Sequence, residues 1–312
     1  MADSTTFSGF HEPILRGVTD QSFRSQPQEF TRVMRRINFT KHTETFQEMA
    51  RLGLAFDKPE LAPVIFDDPV QGGRREYQSR VKALGYKFSW EAEEDDKFNV
   101  VVSTASSLGD SFRETQEIDA SVIWNRAFAA DSPTDDMLCF DGLSLVNTAH
   151  TRLDGGPSQA NLFTGDISLA LIQSFRYHFR NLRNDRGFRN QGHKLSVLMI
   201  APDASSEPLL DQILGGIGID HQPFTADRTP HELRSAPTMR KEVYSYLDDV
   251  DRTFALSNIA LSKDDGPFWA DRRMLSMTSW DDDEVQASCH AGSYRWSIGN
   301  PDWHGVAGST GA

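Results

Sequence analysis

The chain has 312 residues, a formal net charge of −13 and a sequence pI of about 5.1. Hydrophobic residues make up 38% of it and aromatic residues 10%, which supports a packed interior and excludes a disordered chain. The most basic stretch, which we take to be that around Arg32, Arg35 and Arg36, is too short to neutralise a row of phosphates. We therefore expect no tight, specific nucleic-acid binder.

The cysteine content and the N-terminus bear on the compartment. Cys139 and Cys289 form neither a disulfide framework nor a CxxC pair. This suits a reducing compartment and predicts two buried thiols rather than a structural zinc site. The N-terminus has no basic stretch followed by an apolar run, and no long apolar window occurs. We expect neither a signal peptide nor a membrane span.

The first third of the chain predicts an arm followed by a long hairpin. Residues 1–52 have weak periodicity, as expected of an arm with contacts elsewhere or of a poorly ordered leader. Two extended stretches follow, and the Gly-Gly in "VQGGRR" predicts a turn between them, giving a hairpin over about 55–91. In its second strand, every second residue of 84–90 is a large apolar one, so this row requires a covering surface.

A long helix is predicted after the hairpin. The carboxylates of the acidic run "EAEEDD" at 91–96 would be stabilised by the positive end of the dipole of a helix that follows them. From Phe98 to Phe128, apolar residues recur at steps of mostly three and four. This predicts a helix of about thirty-five residues, roughly 50 Å long.

The rest of the chain predicts a mixture of strands and helices. The predicted elements are short strands in 137–150, a helix in 163–185 capped near Thr164 or Asp166, a buried strand at 194–202, a helix in 205–216 closed by Gly215 and Gly216, and strands in 241–257 and 268–299. Helices and strands do not alternate regularly, so the fold class is α+β.

No catalytic motif is evident. The sequence lacks HExxH, GxSxG and Walker A stretches, and "GGIGID" at 215–220 is an incomplete dinucleotide fingerprint that follows a helix. The acidic "WDDDE" at 280–284 lacks the ligand spacing of a calcium loop and is more typical of a solvated turn. We expect a protein that is not an enzyme and has no cofactor or metal site.

Several segments together resemble a known family. "LGYKFSWEAEEDDKF" at 84–98, "ETQEIDASVIWNRAF" at 114–128 and "FDGLSLVNTAH" at 140–150 are similar in order to the major capsid (major head) protein of tailed bacteriophages, especially the group of the Mu-like head subunit. "RKEVYSYLDDVDRTFALSN" at 240–258 and "YRWSIGNPDWHG" at 294–305 resemble its later segments. The resemblance covers roughly 80–305.

The resemblance implies the Hong Kong 97-type capsid fold. Its parts would be an N-terminal arm at 1–52, an extended β-hairpin called the E-loop at 53–95, a peripheral domain with a long spine helix at 96–157 and 263–312, and an axial domain at 158–262. In this fold the hairpin lies across a neighbouring subunit, which would cover its apolar face.

The implied function is structural. The chain would self-assemble, as hexamers and pentamers, into an icosahedral head shell in the virion, assembled in the bacterial host cytoplasm. Implied partners are a portal protein, a scaffold or protease during assembly, in some members a cement protein, and packaged double-stranded DNA bound without sequence specificity; no membrane partner is expected.

A set of hairpin residues is predicted to contact neighbouring subunits. The aromatic and basic members are Phe66, Arg74, Arg75, Tyr77, Tyr86, Phe88 and Trp90. The carboxylates Glu93, Glu94, Asp95 and Asp96 would pair basic groups near the hinge, and a solvated turn tip is the alternative for Arg74 and Arg75.

Three other functions remain open at this point. The same fold would serve an encapsulin-like nanocompartment, which a packed protein cargo would reveal. A soluble acidic enzyme that uses its Asp clusters for a divalent cation would be a monomer or small oligomer stabilised by metal. A shell-bound decoration protein is usually shorter and lacks the order of hairpin and spine.

Overall fold

The computed structural model describes residues 5–50, 52–95, 99–189, 192–215, 239–262 and 266–311. Six α-helices occur in this part of the chain. They are α1 (Thr5–Ser25), α2 (Phe30–Val33), α3 (Trp90–Glu94), α4 (Val100–Asn125), α5 (Leu169–Asn181) and α6 (Ser206–Gly215). None of the described helices combines the length and the apolar content needed to cross a lipid bilayer.

The described strands form three sheets. In chain order they are β1 (Arg35–Asn38), β2 (Thr43–Met49), β3 (Gln71–Gln78), β4 (Arg80–Ser89), β5 (Leu162–Phe163), β6 (Leu195–Ile200), β7 (Arg240–Val243), β8 (Thr253–Ser257), β9 (Phe268–Asp282), β10 (Ala287–Gly299) and β11 (Val306–Ser309). The first sheet has the order β1-β9-β10-β4, the second β5-β11-β8-β6-β7, and the third consists of β2 and β3. This mixture confirms the α+β class.

The prediction that residues 55–91 form one hairpin is wrong, because the strands pair differently. β3 pairs with β2, and β4 pairs with β10, so the two strands lie in different sheets. Gly72 and Gly73 lie inside β3 rather than in a turn. A Cβ at Gly73 would come within 2.3 Å of the Phe140 carbonyl oxygen, so close packing requires this glycine.

The long helix α4 is shorter than predicted. It spans 26 residues, about 39 Å, and ends at Asn125. The chain then leaves the helical conformation, and Phe128 forms a bridge with Val146 and packs against Phe254. The later apolar residues are therefore buried in loop structure, although their spacing continues the helical pattern.

Other boundaries also differ from the sequence prediction. Ser168, rather than Thr164 or Asp166, caps α5, because its hydroxyl accepts the N–H of Leu171 at 3.2 Å. The segment 137–150 contains no named strand. The buried strand predicted at 194–202 and the helix predicted in 205–216 are confirmed by β6 and α6.

Helix α1 packs against α4 of its own chain. Thr19 donates its hydroxyl to the Ala105 carbonyl at 2.9 Å, and Arg113 donates to the Phe23 carbonyl at 2.7 Å. Gly109 allows the close approach, since a Cβ there would lie 2.5 Å from the Thr19 carbonyl oxygen. Part of the predicted arm thus has its contacts within the same chain.

Two apolar clusters hold the second sheet between α4 and the pair α5 and α6. Val197, Met199 and Phe254 belong to the cluster that contains Trp124 of α4. Residues that alternate with them on β6 pack against α5 and α6 in the other cluster. Both faces of this sheet are therefore covered, which explains the continuous apolar sequence of β6.

Candidate assembly surface

Strands β2 and β3 form a ribbon that ends in residues 52–70, which we call the apolar loop. At its base, the Ala50 N–H donates to the Val70 carbonyl at 2.9 Å, and the Gly53 N–H donates to the Asp67 carboxylate at 2.6 Å. The apolar loop itself contains no helix or strand. Its base is therefore fixed, while most of its backbone has no partner in a sheet.

The apolar loop exposes an unusual number of large hydrophobic side chains. It holds eight of the twenty-one such side chains among the described residues: Leu52, Leu54, Phe56, Leu61, Val64, Ile65, Phe66 and Val70. Leu61 is 98% exposed and Phe66 is 89% exposed. So large an exposed apolar surface in one short segment is typical of an interaction site.

Contacts with the body of the chain are confined to the root of the apolar loop. The Arg186 guanidinium donates to the Asp68 carbonyl at 2.6 Å and lies 3.6 Å from the Asp67 carboxylate. Glu48 of β2 accepts the Gly73 N–H at 2.9 Å. These contacts orient the loop without covering its apolar side chains.

The Glu48 carboxyl lies in an environment that disfavours its charge. Burial is the main cause that raises its pKa to about 7, and the nearby carboxylates of Asp185 and Asp302 add to the effect. The Gly73 N–H and His304 oppose it. The root of the apolar loop thus contains a carboxyl group that titrates near neutral pH.

Among the residues predicted as contacts from 66 to 77, the structure leaves Phe66 and Arg74 on the surface. Arg74 pairs with Glu76 on the same strand. Arg75 instead donates to the Cys139 carbonyl at 2.9 Å and lies 2.9 Å from the Asp135 carboxylate of its own chain.

Tyr77 contradicts its prediction as an inter-subunit contact. It is only 1% exposed, and its ring packs at 5.0 Å from Phe268 and 5.5 Å from Phe46. Tyr77 is therefore a core residue of the described chain.

The aromatic row of β4 is covered by the same chain. Tyr86 and Phe88 pack against a cluster formed by Leu15 of α1 with Val101 and Ala105 of α4. Part of the covering surface that the sequence required is thus intramolecular. Both side chains remain partly exposed, so their contact with neighbouring subunits stays a prediction. Trp90 begins α3 and remains 39% exposed.

The acidic run does not lead directly into α4. The Ser89 hydroxyl accepts the Ala92 N–H at 3.3 Å and caps the separate short helix α3. Asp95 follows α3 and is exposed. Asp96 and the side chains of Glu93 and Glu94 lie outside the described residues.

Sequence reasoning missed two surfaces. The hairpin prediction makes most of the apolar loop a strand, although its prolines and lack of a consistent period are signals of an irregular segment. The stretch around Arg32 is also not the most basic one, because residues 176–194 contain five Arg and one Lys against one Asp.

The described part of the chain does not meet the requirements of a metal site. It contains no group of three His, Cys, Asp or Glu residues that could hold a metal ion. Cys139 and Cys289 are both buried and free, as predicted.

Solved structures match this fold, whereas comparisons of the sequence find no match. No protein-family model matches the sequence, and no curated protein does. A structure from Microbacterium phage Oxtober96 matches with a TM-score of 0.54 and 11% identity, covering 92% of this chain and 92% of that chain. The capsid structure of the Cyanophage P-SCSP1u matches with a TM-score of 0.52 and 10% identity, covering 90% and 86%.

A third match is the capsid of a native GTA particle, with a TM-score of 0.53 and 10% identity over 91% of this chain and 90% of that chain. At such low identities the comparisons establish the fold. The chain has the Hong Kong 97-type capsid fold over nearly its whole length, which confirms the fold class implied by the sequence resemblance.

Proposed function

We propose that this chain is a structural shell subunit, the major capsid protein of a tailed phage or a related particle, and that it self-assembles around double-stranded DNA. The observation that carries the proposal is the apolar loop. The solved matches that are named as capsids support it through the shared fold. The chain would be located in the virion capsid and assembled in the host cytoplasm.

The energetics favour a second copy as the cover of the apolar loop. Full burial of one Leu or Phe side chain contributes about 1.5–3 kcal/mol, so eight such groups provide a strong drive for association even after ordering costs. In the proposed shell the loop packs on a different surface of its neighbour, so the contact is heterologous and repeats around closed rings.

The domain division proposed from the sequence needs one adjustment. We retain an arm in the part of 1–52 that precedes β2, a peripheral domain in 96–157 and 263–312, and an axial domain in 158–262. Within 53–95, the apolar loop and β3, together with β2, form the E-loop, whereas β4 belongs to the peripheral sheet with β9 and β10. Portal, scaffold or protease, and cement proteins are further proposed partners.

A loop replacement tests the proposal. Replacing residues 55–65 with Gly-Ser keeps the Gly53–Asp67 and Ala50–Val70 contacts at the base, so the body of the chain should fold. Electron microscopy should show closed particles for the unaltered chain and none for the replacement. Normal particles from the replaced chain would contradict the proposal.

The contents of the particles test the second half of the proposal. Particles isolated from the native host should contain double-stranded DNA, detected by nuclease-resistant absorbance after the exterior is digested. A packed protein cargo without DNA would contradict the phage assignment while leaving the shell role intact.

A further inference from the structure

Positively charged side chains are concentrated on α5 and in the turn that follows it. Residues 176–194 include five Arg and one Lys, whereas the whole chain has 45 Asp and Glu against 32 Lys and Arg. We define the arginine strip as Arg176, Arg180, Arg183 and Arg189. It is a strongly positive segment in an acidic protein.

None of these four arginines has a carboxylate partner in the described part of the chain. Elsewhere, Arg36 pairs with Asp271, Arg75 with Asp135 and Arg252 with Asp131. Carboxylates exceed basic groups in this chain, so the lack of pairing in the strip is a local property. Within 176–194, Arg186 alone forms a salt bridge among the described residues.

The strip also places like charges close together. Arg176 and Arg180 are four residues apart, on the same face of α5 and about 6 Å apart along its axis. Arg183 and Arg189 are directly opposite each other in a β-bridge. Like charges in such positions repel, and an external anion removes that repulsion.

Side chains that donate hydrogen bonds lie at another face of α5. They line an open cleft of about 520 Å³ and include Gln159, Ser174, Tyr177 and Asn181. Tyr177 is 70% exposed. Together with Arg, these are the side-chain types that contact phosphate and sugar groups in nucleic-acid complexes.

We propose that the arginine strip binds the phosphate backbone of the packaged double-stranded DNA. This inference rests on the proposed function, since it requires a shell that encloses DNA. A row of arginines neutralises several phosphates at once and releases their counterions. Carboxylates spaced along a protein surface would fit such a row less well than the phosphates of DNA. Because the rest of the chain is acidic, the binding is weak, dependent on salt and independent of sequence.

Binding of a fluorescently labelled double-stranded DNA fragment tests this site. Anisotropy is measured over a range of salt concentrations with the full chain, kept below the concentration at which light scattering detects particles. Arg180→Gln/Arg189→Gln changes two exposed residues. The slope of log affinity against log salt should fall in magnitude by about 1.8, since each lost phosphate contact removes about 0.9.

The matched control is Arg126→Gln/Arg273→Gln, which removes two exposed arginines elsewhere that also lack a carboxylate partner in the described chain. Its slope should equal that of the unaltered chain. Equal slope changes in both variants, or none in either, would overturn the site. If the strip variant does not fold by circular dichroism, Arg180→Gln alone replaces it, with an expected change of about 0.9.

Two further outcomes are distinguishable. If the strip variant binds DNA normally but forms fewer particles by light scattering, the strip binds carboxylates of a second copy and the inference is overturned. If the unaltered chain forms no particles at any concentration, the proposed function fails, whereas normal particles with unchanged DNA binding contradict only the inference.

Discussion

The apolar loop and the aromatic row of β4 look alike in sequence but differ in the structure. Both are rich in large apolar residues, and for both the sequence predicts a contact with another chain. Tyr86 and Phe88 of the row pack against α1 and α4 of the same molecule, whereas Phe56, Leu61 and Phe66 of the loop remain exposed. An alternating pattern shows that one face of a strand is buried, but not which chain buries it.

The largest effect that separates these regions concerns assembly. Phe66→Asp should abolish particle formation, because it places a charge in the proposed contact, and should leave the melting temperature nearly unchanged, because Phe66 is 89% exposed in the single chain. Electron microscopy and thermal unfolding are the two measurements. Phe66→Leu keeps an apolar side chain and should still assemble. If the Asp variant forms normal particles, Phe66 is not a contact.

The next effect concerns a residue that sequence reasoning placed at the interface. Tyr77→Ala should lower the free energy of unfolding by about 3–5 kcal/mol, because Tyr77 is fully packed against Phe46 and Phe268. Denaturant unfolding measures it. Tyr77→Phe should change this free energy by only about 1 kcal/mol, since the ring keeps its packing and only the hydroxyl contact with the Asn300 backbone is lost. A stable Tyr77→Ala chain that fails only in assembly would restore the interface role.

The smallest effect concerns pH at the root of the loop. The folded pKa of Glu48 is raised from an ordinary 4.5 to about 7, so its protonated form favours the folded state and its contribution to stability is lost as pH rises through this range. The melting temperature should fall less between pH 5 and pH 8, an interval that contains most of this range, in Glu48→Gln than in the unaltered chain. Burial also raises the pKa of Glu117 to about 7. Glu117 therefore retains part of the pH dependence of the melting temperature in the Glu48→Gln variant.

Glu44→Gln is the control for this titration. Glu44 lies on the same strand, but backbone hydrogen bonds from Lys41 and Thr40, with the Thr40 hydroxyl, lower its pKa. Its contribution is lost as pH falls, below the range in which Glu48 titrates, so this substitution should leave the change between the two pH values unaltered. An identical pH dependence in Glu48→Gln and the unaltered chain would show that Glu48 has an ordinary pKa.

The fold could be predicted where the pattern is local. Apolar periodicity located α4, α5 and α6, and the continuous apolar run located β6. Pairing could not be predicted, because the same strand pattern suits any partner. β4 therefore seemed to complete a hairpin with the preceding residues, whereas it pairs with β10, about two hundred residues later in the chain.

The candidate surface could be predicted only in part. Phe66 was identified, but the side chains that surround it in the apolar loop were read as one face of a ribbon. Tyr77 could not be assigned, because its burial depends on Phe268, which is distant in sequence. The sequence predicts a turn at Gly73, since sequence alone does not distinguish a flexible turn from close approach to the Phe140 carbonyl.

Electron microscopy of the purified full-length protein, taken to a resolution that traces residues 52–70, tests the central claim most directly. We expect closed shells in which Phe56, Leu61 and Phe66 of each chain lie against a neighbouring copy. A protein that remains a monomer at high concentration, with the apolar loop folded onto its own body, would contradict the account.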